Sequence, residues 1–437
     1  LTTVPGTLGE PTRVVATMPG VSRSPFGLGL FVVRGASFEN TGFFIDGFPV
    51  PILYHFGAGP AVINSRLVGQ LDFYPGGYPL EYGRFSAGVI SLTTRPPPTD
   101  RPFLEFQVDV LRAGAMAVVP FDHGRGSIAV GLRRSYYDLL APLFVDGVSL
   151  EYGDYQVRVD YRFSPRSRVS LFSFGSYDSF DRTAAVGVGA TASEQSSALL
   201  YRFQRVIGRW EYSLPNRMLL SVAGSVGIDN TSLNSTNPGL PDQRFASTGY
   251  ILGERASLRI PTGRYLTTQV GLDVLTISFD ADLQVPLPPN VGGIPPPSFT
   301  PSVLNFRPRI TQLSVAAYID ETLRAGPVEL STGVRLDRLI YGTVETTVAD
   351  PRAVLRVKLN PRTTLIGASG YFTQPPPFPQ LVPGVRNPNL VPQRSWQSSA
   401  GVEANLPWGI ETRLTGFYTR MYNLQRSSSD IVEGPNG

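Results

Sequence analysis

Residues equipped for bond-making chemistry are few in this sequence. Histidine occurs only at His55 and His123, and cysteine not at all. That excludes a disulfide framework and a thiolate metal site, and leaves nothing from which to build a histidine cluster for metal binding or catalysis. His55 stands in Pro51-Ile52-Leu53-Tyr54-His55-Phe56 with no second ligand nearby and makes a poor metal site. There is no Gly-x-Ser-x-Gly elbow, no phosphate loop and no His-Glu-x-x-His. The adjacent carboxylates Asp320 and Glu321 would point to opposite faces of a strand, which unfits them for paired acid–base work. The sequence therefore points away from an enzyme and implies no cofactor or metal. Its 38 Lys and Arg are scattered and largely offset by 34 Asp and Glu, so nucleic acid is not an expected partner. What remains is recognition chemistry. Tyr136-Tyr137 with Phe144, and the proline-rich run Gln374 to Pro379 around Phe378, are candidates for facing a ligand. Aromatic belts at a membrane interface use the same residue types.

The elements that would position such residues are strands. Charged residues make up only 16% of the chain, against about 25% in soluble domains, and aromatics reach 11%. No apolar run approaches the roughly 18 residues that a membrane-crossing helix needs. From about residue 103, turn-forming segments recur: Ser164-Pro165-Arg166-Ser167, Leu214-Pro215-Asn216-Arg217, Pro261-Thr262-Gly263-Arg264, Ala325-Gly326-Pro327, Asn360-Pro361-Arg362-Thr363 and Leu406-Pro407-Trp408-Gly409. Between them lie strand pairs joined by longer polar segments, at 183–196, 232–247, 281–309, 342–350 and 374–393. Short turn, strand, long loop, strand is the order of a meander threaded through a bilayer. Strands of about 10–15 residues suit the same reading.

The strands also alternate. Tyr155, Val157, Val159, Tyr161 and Phe163 oppose Gln156, Arg158, Asp160 and Arg162. Val328, Leu330, Val334 and Leu336 oppose Glu329, Ser331, Arg335 and Asp337. Leu266, Val270, Leu272 and Val274 oppose Gln269 and Asp273. In a membrane barrel the apolar face meets lipid and the charged face a wet lumen. About fifteen strands are expected between 103 and 424. Closed bacterial barrels have even strand numbers, so the chain is expected to be truncated at its C-terminal end. It starts at Leu1 without Met or a signal peptide, as a processed or partial chain would.

Residues 1–98 read differently, as a small α/β unit. Short apolar runs (Phe31-Val32-Val33, Phe43-Phe44-Ile45, Leu67 to Tyr74, Val89 to Thr93) are punctuated by Pro and Gly, with a helix expected over 9–17. Asp46-Gly47 after Phe43-Phe44-Ile45 signals a tight hairpin. Arg95-Pro96-Pro97-Pro98 makes a stiff linker at which the barrel, residues 99–437, begins.

These residues resemble a family. Val33-Arg34-Gly35 followed by Ile45-Asp46-Gly47-Phe48-Pro49 is similar to the plug signature of TonB-dependent receptors. Pro75-Gly76-Gly77-Tyr78, Glu81-Tyr82-Gly83-Arg84 and Gly88 to Thr94 resemble the end of that plug. In the barrel, Ala317 to Glu321 with Gly333 to Asp337, and Asn387 to Gln393 leading into Gly401-Val402-Glu403, look like family segments. The resemblance implies a 22-strand outer-membrane barrel of a Gram-negative bacterium, about seven strands being absent here. It also implies a TonB-coupling segment upstream of the plug, of which Leu1 to Gly6 shows no convincing trace.

The implied function is energy-dependent import of a scarce nutrient of the siderophore-iron, cobalamin or glycan class. Implied partners are outer-membrane lipid, TonB in the periplasm and the small ligand, and the sequence leaves open whether a surface lipoprotein caps the outer face. The resemblance further implies that plug arginines, here Arg34 and Arg84, pair with barrel carboxylates, for which Glu254 and Glu321 are the candidates. The alternative is that each arginine is an ordinary lumen charge. Gly35, Gly47, Gly76, Gly77 and Gly83 are expected to serve backbone geometry rather than ligand contact. Two other readings stay open: a non-transporting binding or scaffold barrel, and a passive porin.

Overall fold

The fold is seen in a computed structural model, which describes residues 14–15, 17–23, 31–57, 59–186, 193–238, 241–286, 303–381 and 389–425. Most of the helix expected over 9–17 lies outside these residues, as do Leu1 to Gly6, Asn387-Pro388 and parts of four long connections.

The N-terminal unit holds a ribbon of β1 (Val21–Arg23) and β2 (Phe31–Val33) and a four-stranded sheet. The sheet comprises β3 (Gly42–Ile45), β4 (Phe48–Val50), β5 (Val68–Tyr74) and β6 (Val89–Thr94), in the order β4-β3-β6-β5. Asp46 (φ 48°) and Gly47 (φ 85°) both take the positive φ of a type I′ turn between β3 and β4. The Asp46 carboxylate accepts from the Thr94 amide (2.8 Å) and hydroxyl (2.5 Å), tying the hairpin to the end of β6. The helical segments here are single 3-10 turns, Phe38–Asn40, His55–Gly57 and Ser65–Leu67, and no α-helix occurs among the described residues before 99.

From Phe103 onward one antiparallel sheet contains sixteen strands. They are β7 (Phe103–Val108), β8 (Arg112–Phe121), β9 (Gly126–Ser135), β10 (Val148–Ser164), β11 (Ser167–Val186), β12 (Ser193–Ser213), β13 (Leu219–Thr236) and β14 (Gln243–Thr262). There follow β15 (Leu266–Pro286), β16 (Val303–Phe306), β17 (Arg309–Ala325), β18 (Val328–Tyr341), β19 (Val344–Asn360), β20 (Thr363–Gln374), β21 (Gln393–Leu406) and β22 (Ile410–Tyr422). Each pairs with its sequence neighbour except short β16, which lies off the path against β15 while β15 pairs β17. Among the described residues no pairing joins β7 to β22, so the sheet does not close.

The turns at Ser164–Ser167, 214–217, 261–264, 325–327, 360–363 and 406–409 all connect strands at one end of the sheet, as their residues predict. The connection expected at 342–350 is shorter than its polarity suggests. Residues Gly342-Thr343 make the turn, and 344–350 pair residue by residue with 335–341. Val, Thr and Glu here continue the strand because their backbone groups find ladder partners, and β-branched Thr fits a pleated surface. For the same reason 183–186 extend β11 to 20 residues and 232–236 extend β13 to 18.

The sheet is inside-out relative to a soluble protein. Leu252 and Leu272 are 46% and 58% exposed on its outer face, whereas Asp273, Arg335 and Asp337 are 3%, 0% and 3% exposed on its inner face. The inner face wraps the N-terminal unit, which touches strands from β7 (Glu105 to Arg66, 2.8 Å) to β22 (Phe417 to Arg34).

Candidate functional site

Polar side chains on the inner face need partners once water is displaced, and the N-terminal unit supplies them. The interface has three sectors of different chemistry.

The first is apolar. Ile45, Phe48, Leu53, Ile63, Leu67 and Leu92 of the unit share one core with Met116, Val118, Phe172, Phe174, Phe203 and Ile207 of β8, β11 and β12. Phe48 reaches across to β14, where a Cβ on Gly253 would stand 2.8 Å from its ring.

The second sector is cationic wall against backbone carbonyl. Arg209 donates to Asp46 O (2.5 Å), and Arg255 donates to Gly47 O and to Glu81 O (2.5 Å). Arg84, 8% exposed, places Nη2 at 2.9 Å from Asp273 Oδ2. The same oxygen accepts from Arg335 Nη2 at 2.8 Å, and Arg335 Nε meets Asp337 at 2.8 Å. The result is a buried row of alternating charge that crosses from unit to wall. A Cβ on Gly83 would lie 2.7 Å from the Arg335 Cζ, so glycine is required there for close approach, since its φ is not positive. Arg352 donates to Pro79 O (2.9 Å) and Tyr82 O (2.8 Å) and lies 4.5 Å from the ring centroids of both Tyr78 and Phe372. A planar guanidinium fits this collar and an ammonium does not. Arg352→Lys should therefore loosen the unit by about 2 kcal/mol, read as a lower urea midpoint for its release. A midpoint unchanged within about 0.5 kcal/mol would contradict the collar.

The third sector is neutral. Ser86 is held by Gln374 Oε1 (2.8 Å to its hydroxyl, 3.1 Å to its amide), Gln393 Nε2 (2.7 Å), Ser395 Oγ (2.6 Å) and Gln397 Nε2 (2.8 Å). Against β10 and β11, beside the apolar sector, sits His55, fully buried, with Nδ1 2.6 Å from Asp178 and Nε2 3.0 Å from Asp154. Among the described residues no group of three potential ligands could hold a metal ion.

The expected ion-pair partners are corrected by these contacts. Glu254 is exposed on the outer face beside Leu252, and Glu321 shares the outward parity of Ile319 and accepts from Thr268 (2.9 and 2.8 Å). Side chains alternate along a strand, so neither reaches the lumen. Arg84 meets Asp273 instead. Arg34 (φ 49°) meets no carboxylate among the described residues and lies 4.6 Å over the Phe417 ring. It borders a cleft of about 840 Å³ between residues 73–81 and a wall made by β14, β15 and β17 to β22. Gly35 (φ 78°) and Gly77 (φ 63°) serve backbone geometry, whereas Gly76 lies where a Cβ would crowd Gln397 Oε1 at 2.5 Å. Tyr82 donates to or accepts from Ser91 at 2.8 Å.

The aromatic candidates do not converge. Tyr136 hydrogen-bonds Arg112 O (2.9 Å), Tyr137 packs 6.0 Å from Tyr152, and Phe144 is 84% exposed. Phe378 is 6% exposed and stacks on Phe279 at 4.5 Å within a separate apolar cluster containing Tyr341 and Leu381. Sequence reasoning missed Asp154, Asp178, Asp273, Arg352 and the glutamines as interface residues. The parity that marks Arg335, Asp337 and Asp273 as a polar face was the available signal.

A family model described as TonB dependent receptor-like, beta-barrel matches residues 109–436. No curated protein matches the chain. Among solved structures, FpvA of P. aeruginosa bound to a heterologous pyoverdine is similar, at 14% identity and a TM-score of 0.70 over 92% of this chain and 59% of that one. The alcaligin outer-membrane receptor FauA from Bordetella pertussis matches at 17% identity and 0.63, over 94% and 67%. The copper transporter OprC matches at 14% and 0.69, over 93% and 67%. This chain thus spans about three fifths of the length of the first of these, 59%, and the likeness is one of fold.

Proposed function

The chain belongs to the TonB-dependent receptor family, and from that premise we propose that it is a gated importer of a scarce nutrient of the siderophore-iron, cobalamin or glycan class. Residues 1–98 are the plug, seated in an outer-membrane barrel whose short turns face the periplasm and whose apolar outer face meets lipid. The observation that carries this reading is the wrapped N-terminal unit, held mainly by polar contacts. Such contacts can be exchanged one at a time for water, each at a net cost of about 1 kcal/mol, when a pull is applied from the periplasmic side. TonB supplies that pull, the ligand binds at the long-connection end, and the plug shifts to open a path. The work is conformational, with no bond made or broken. A passive porin has no use for a bonded obstruction in its lumen. A non-transporting scaffold barrel would keep the obstruction and ignore the proton gradient.

The deciding experiment is planar-bilayer conductance of the full-length protein with and without residues 1–98, paired with nutrient uptake in cells before and after a protonophore. A closed barrel that conducts only without the plug, and uptake that stops with the gradient, are the expected results. Steady conductance with the plug present would favour the porin, and gradient-insensitive ligand binding without uptake the scaffold.

A further inference from the structure

His55 is the one buried histidine, and its surroundings consist of donors aimed at two carboxylates. Asp154 Oδ2 accepts from His55 Nε2 (3.0 Å) and Arg133 Nε (2.7 Å), while Asp154 Oδ1 accepts from Gln156 Nε2 (2.7 Å). Asp178 Oδ1 meets His55 Nδ1 at 2.6 Å, and its Oδ2 accepts from the Phe56 amide at 3.1 Å. A neutral imidazole has one N–H and one lone pair. In that form it would set a lone pair against a carboxylate oxygen on one side. With both nitrogens protonated, His55 and Arg133 balance Asp154 and Asp178, and the buried cluster is neutral. Burial alone would lower the histidine's affinity for its second proton, but the hydrogen bonds and charges of Asp154 and Asp178 outweigh that and raise it.

The other groups around the ring do not supply a competing charge. Tyr152 of β10 stacks on it at 4.2 Å and in turn feels Arg112 of β8 and Arg133 of β9. Ser176 of β11 lies 3.5 Å from Nδ1. Tyr201 of β12 lies within electrostatic reach of Asp178 and of the Arg205–Asp229 pair. The segment that carries His55 is a tight loop closed by Gly59 N to His55 O (2.7 Å) and Val62 N to Leu53 O (3.0 Å). Within it Phe56 is held at φ 51°, a left-handed conformation that a bulky residue leaves when released.

We propose that His55 is a proton-binding site that latches the plug loop of residues 53–62 to β10 and β11, so that loss of its second proton frees the loop on that wall. This rests on the reading of the N-terminal unit as a plug. Without the proton one carboxylate of the pair loses its counter-charge in a dry site. The opposite side of the plug, where Ser86 is held by glutamines and a serine, carries no titrating group among those contacts and keeps its hold. The loosening is therefore local to the polar hold at β10 and β11, while Leu53 and Val62 of the same loop stay in the apolar core. The sign follows from the raised proton affinity: the latch is at full strength below the ordinary histidine range, near pH 6.5. It is lost as pH rises through the higher value of the folded state.

The chain holds only two histidines and no cysteine, which makes the test direct. In the full chain, 15N-labelled at histidine in detergent micelles, both His55 ring nitrogens should stay protonated above the ordinary histidine range. A spin label at Pro60→Cys should gain mobility over the pH range in which His55 titrates, and show no such step in His55→Gln. Asp178→Asn, which keeps the shape of the site, should lower the His55 titration relative to the parent. A His55 that loses its second proton within or below the ordinary histidine range, or a label whose mobility ignores the His55 titration, would overturn the proposal. None of these readouts involves transport, so a failed latch and a failed import reading are separable.

Discussion

Asp273→Ala is expected to destabilise the seating of the N-terminal unit by about 3–5 kcal/mol. Its Oδ2 serves Arg84 from the unit (2.9 Å) and Arg335 from the wall (2.8 Å), and all three side chains are almost wholly buried. Removing the carboxylate leaves Arg335 with Asp337 but strips Arg84 of the only carboxylate it contacts among the described residues. A buried guanidinium without a counter-charge must stay desolvated at high cost or pull the unit away to reach water. Asp273→Asn keeps an acceptor oxygen and should cost less. Glu321→Ala, which removes only a hydrogen bond from Thr268 on the outer face, should fall within about 0.5 kcal/mol of the parent. Urea titration followed by protease sensitivity of residues 14–98 would measure all three. If Asp273→Ala and Glu321→Ala shift the midpoint equally, the buried row of charge is not what seats the unit.

Phe48→Ala should cost about 3–5 kcal/mol as well, by a different mechanism. Phe48 is 2% exposed and belongs to the larger of two apolar clusters that join the N-terminal sheet to the wall. Its ring lies against Gly253 of β14, where there is no side chain to close the space that alanine would leave. The cost is the lost transfer of the ring from water plus the cavity, and neither depends on charge. Salt should accordingly leave the Phe48→Ala penalty unchanged. The same protease-coupled titration, run at low and high ionic strength, checks both statements. A loss below about 1 kcal/mol would mean that the wall relaxes into the cavity, and that the apolar sector is softer than its packing implies.

The two variants bear on the import reading in opposite ways. A plug held by exchangeable polar contacts can move, whereas one welded by an apolar core resists movement. The apolar contact is concentrated on β8, β11 and β12, with Phe48 reaching β14. The cleft of about 840 Å³ is lined by β14 and β15 and then by β17 to β22, and its β17 to β22 part lies away from that contact. Polar exchange on that second side is therefore the less costly motion.

Much of the fold could be read from the sequence because its causes are local. The hairpin at Asp46-Gly47 needs two positive-φ residues in a row, and few other pairs supply them. The short turns at Ser164–Ser167 or Asn360–Thr363 carry Pro and Asn where a reversal must be made. Alternation in 155–163 and 328–337 follows from the two-residue period of a strand. That period fixed which residues share a face, and the length and loop rhythm said that the polar face was the inner one. Polarity alone misjudged 342–350, where ladder pairing with 335–341 overrode composition.

The site was decided elsewhere. Arg84 and Asp273 are 189 residues apart, and His55 and Asp178 are 123 apart. No local pattern encodes such pairings, since they depend on how far each strand is staggered along its neighbour and how the N-terminal unit is rotated inside the sheet. Parity could have rejected Glu254 and Glu321 as lumen residues, but it could not have chosen Asp273 over the other inward carboxylates. His55, a lone histidine in an apolar stretch, carried no sign of its role until β10 and β11 brought a carboxylate to each of its nitrogens. Sequence determined the strands and their faces, because these answer to backbone geometry and to water. Tertiary structure decided which charge meets which, because that answers only to register.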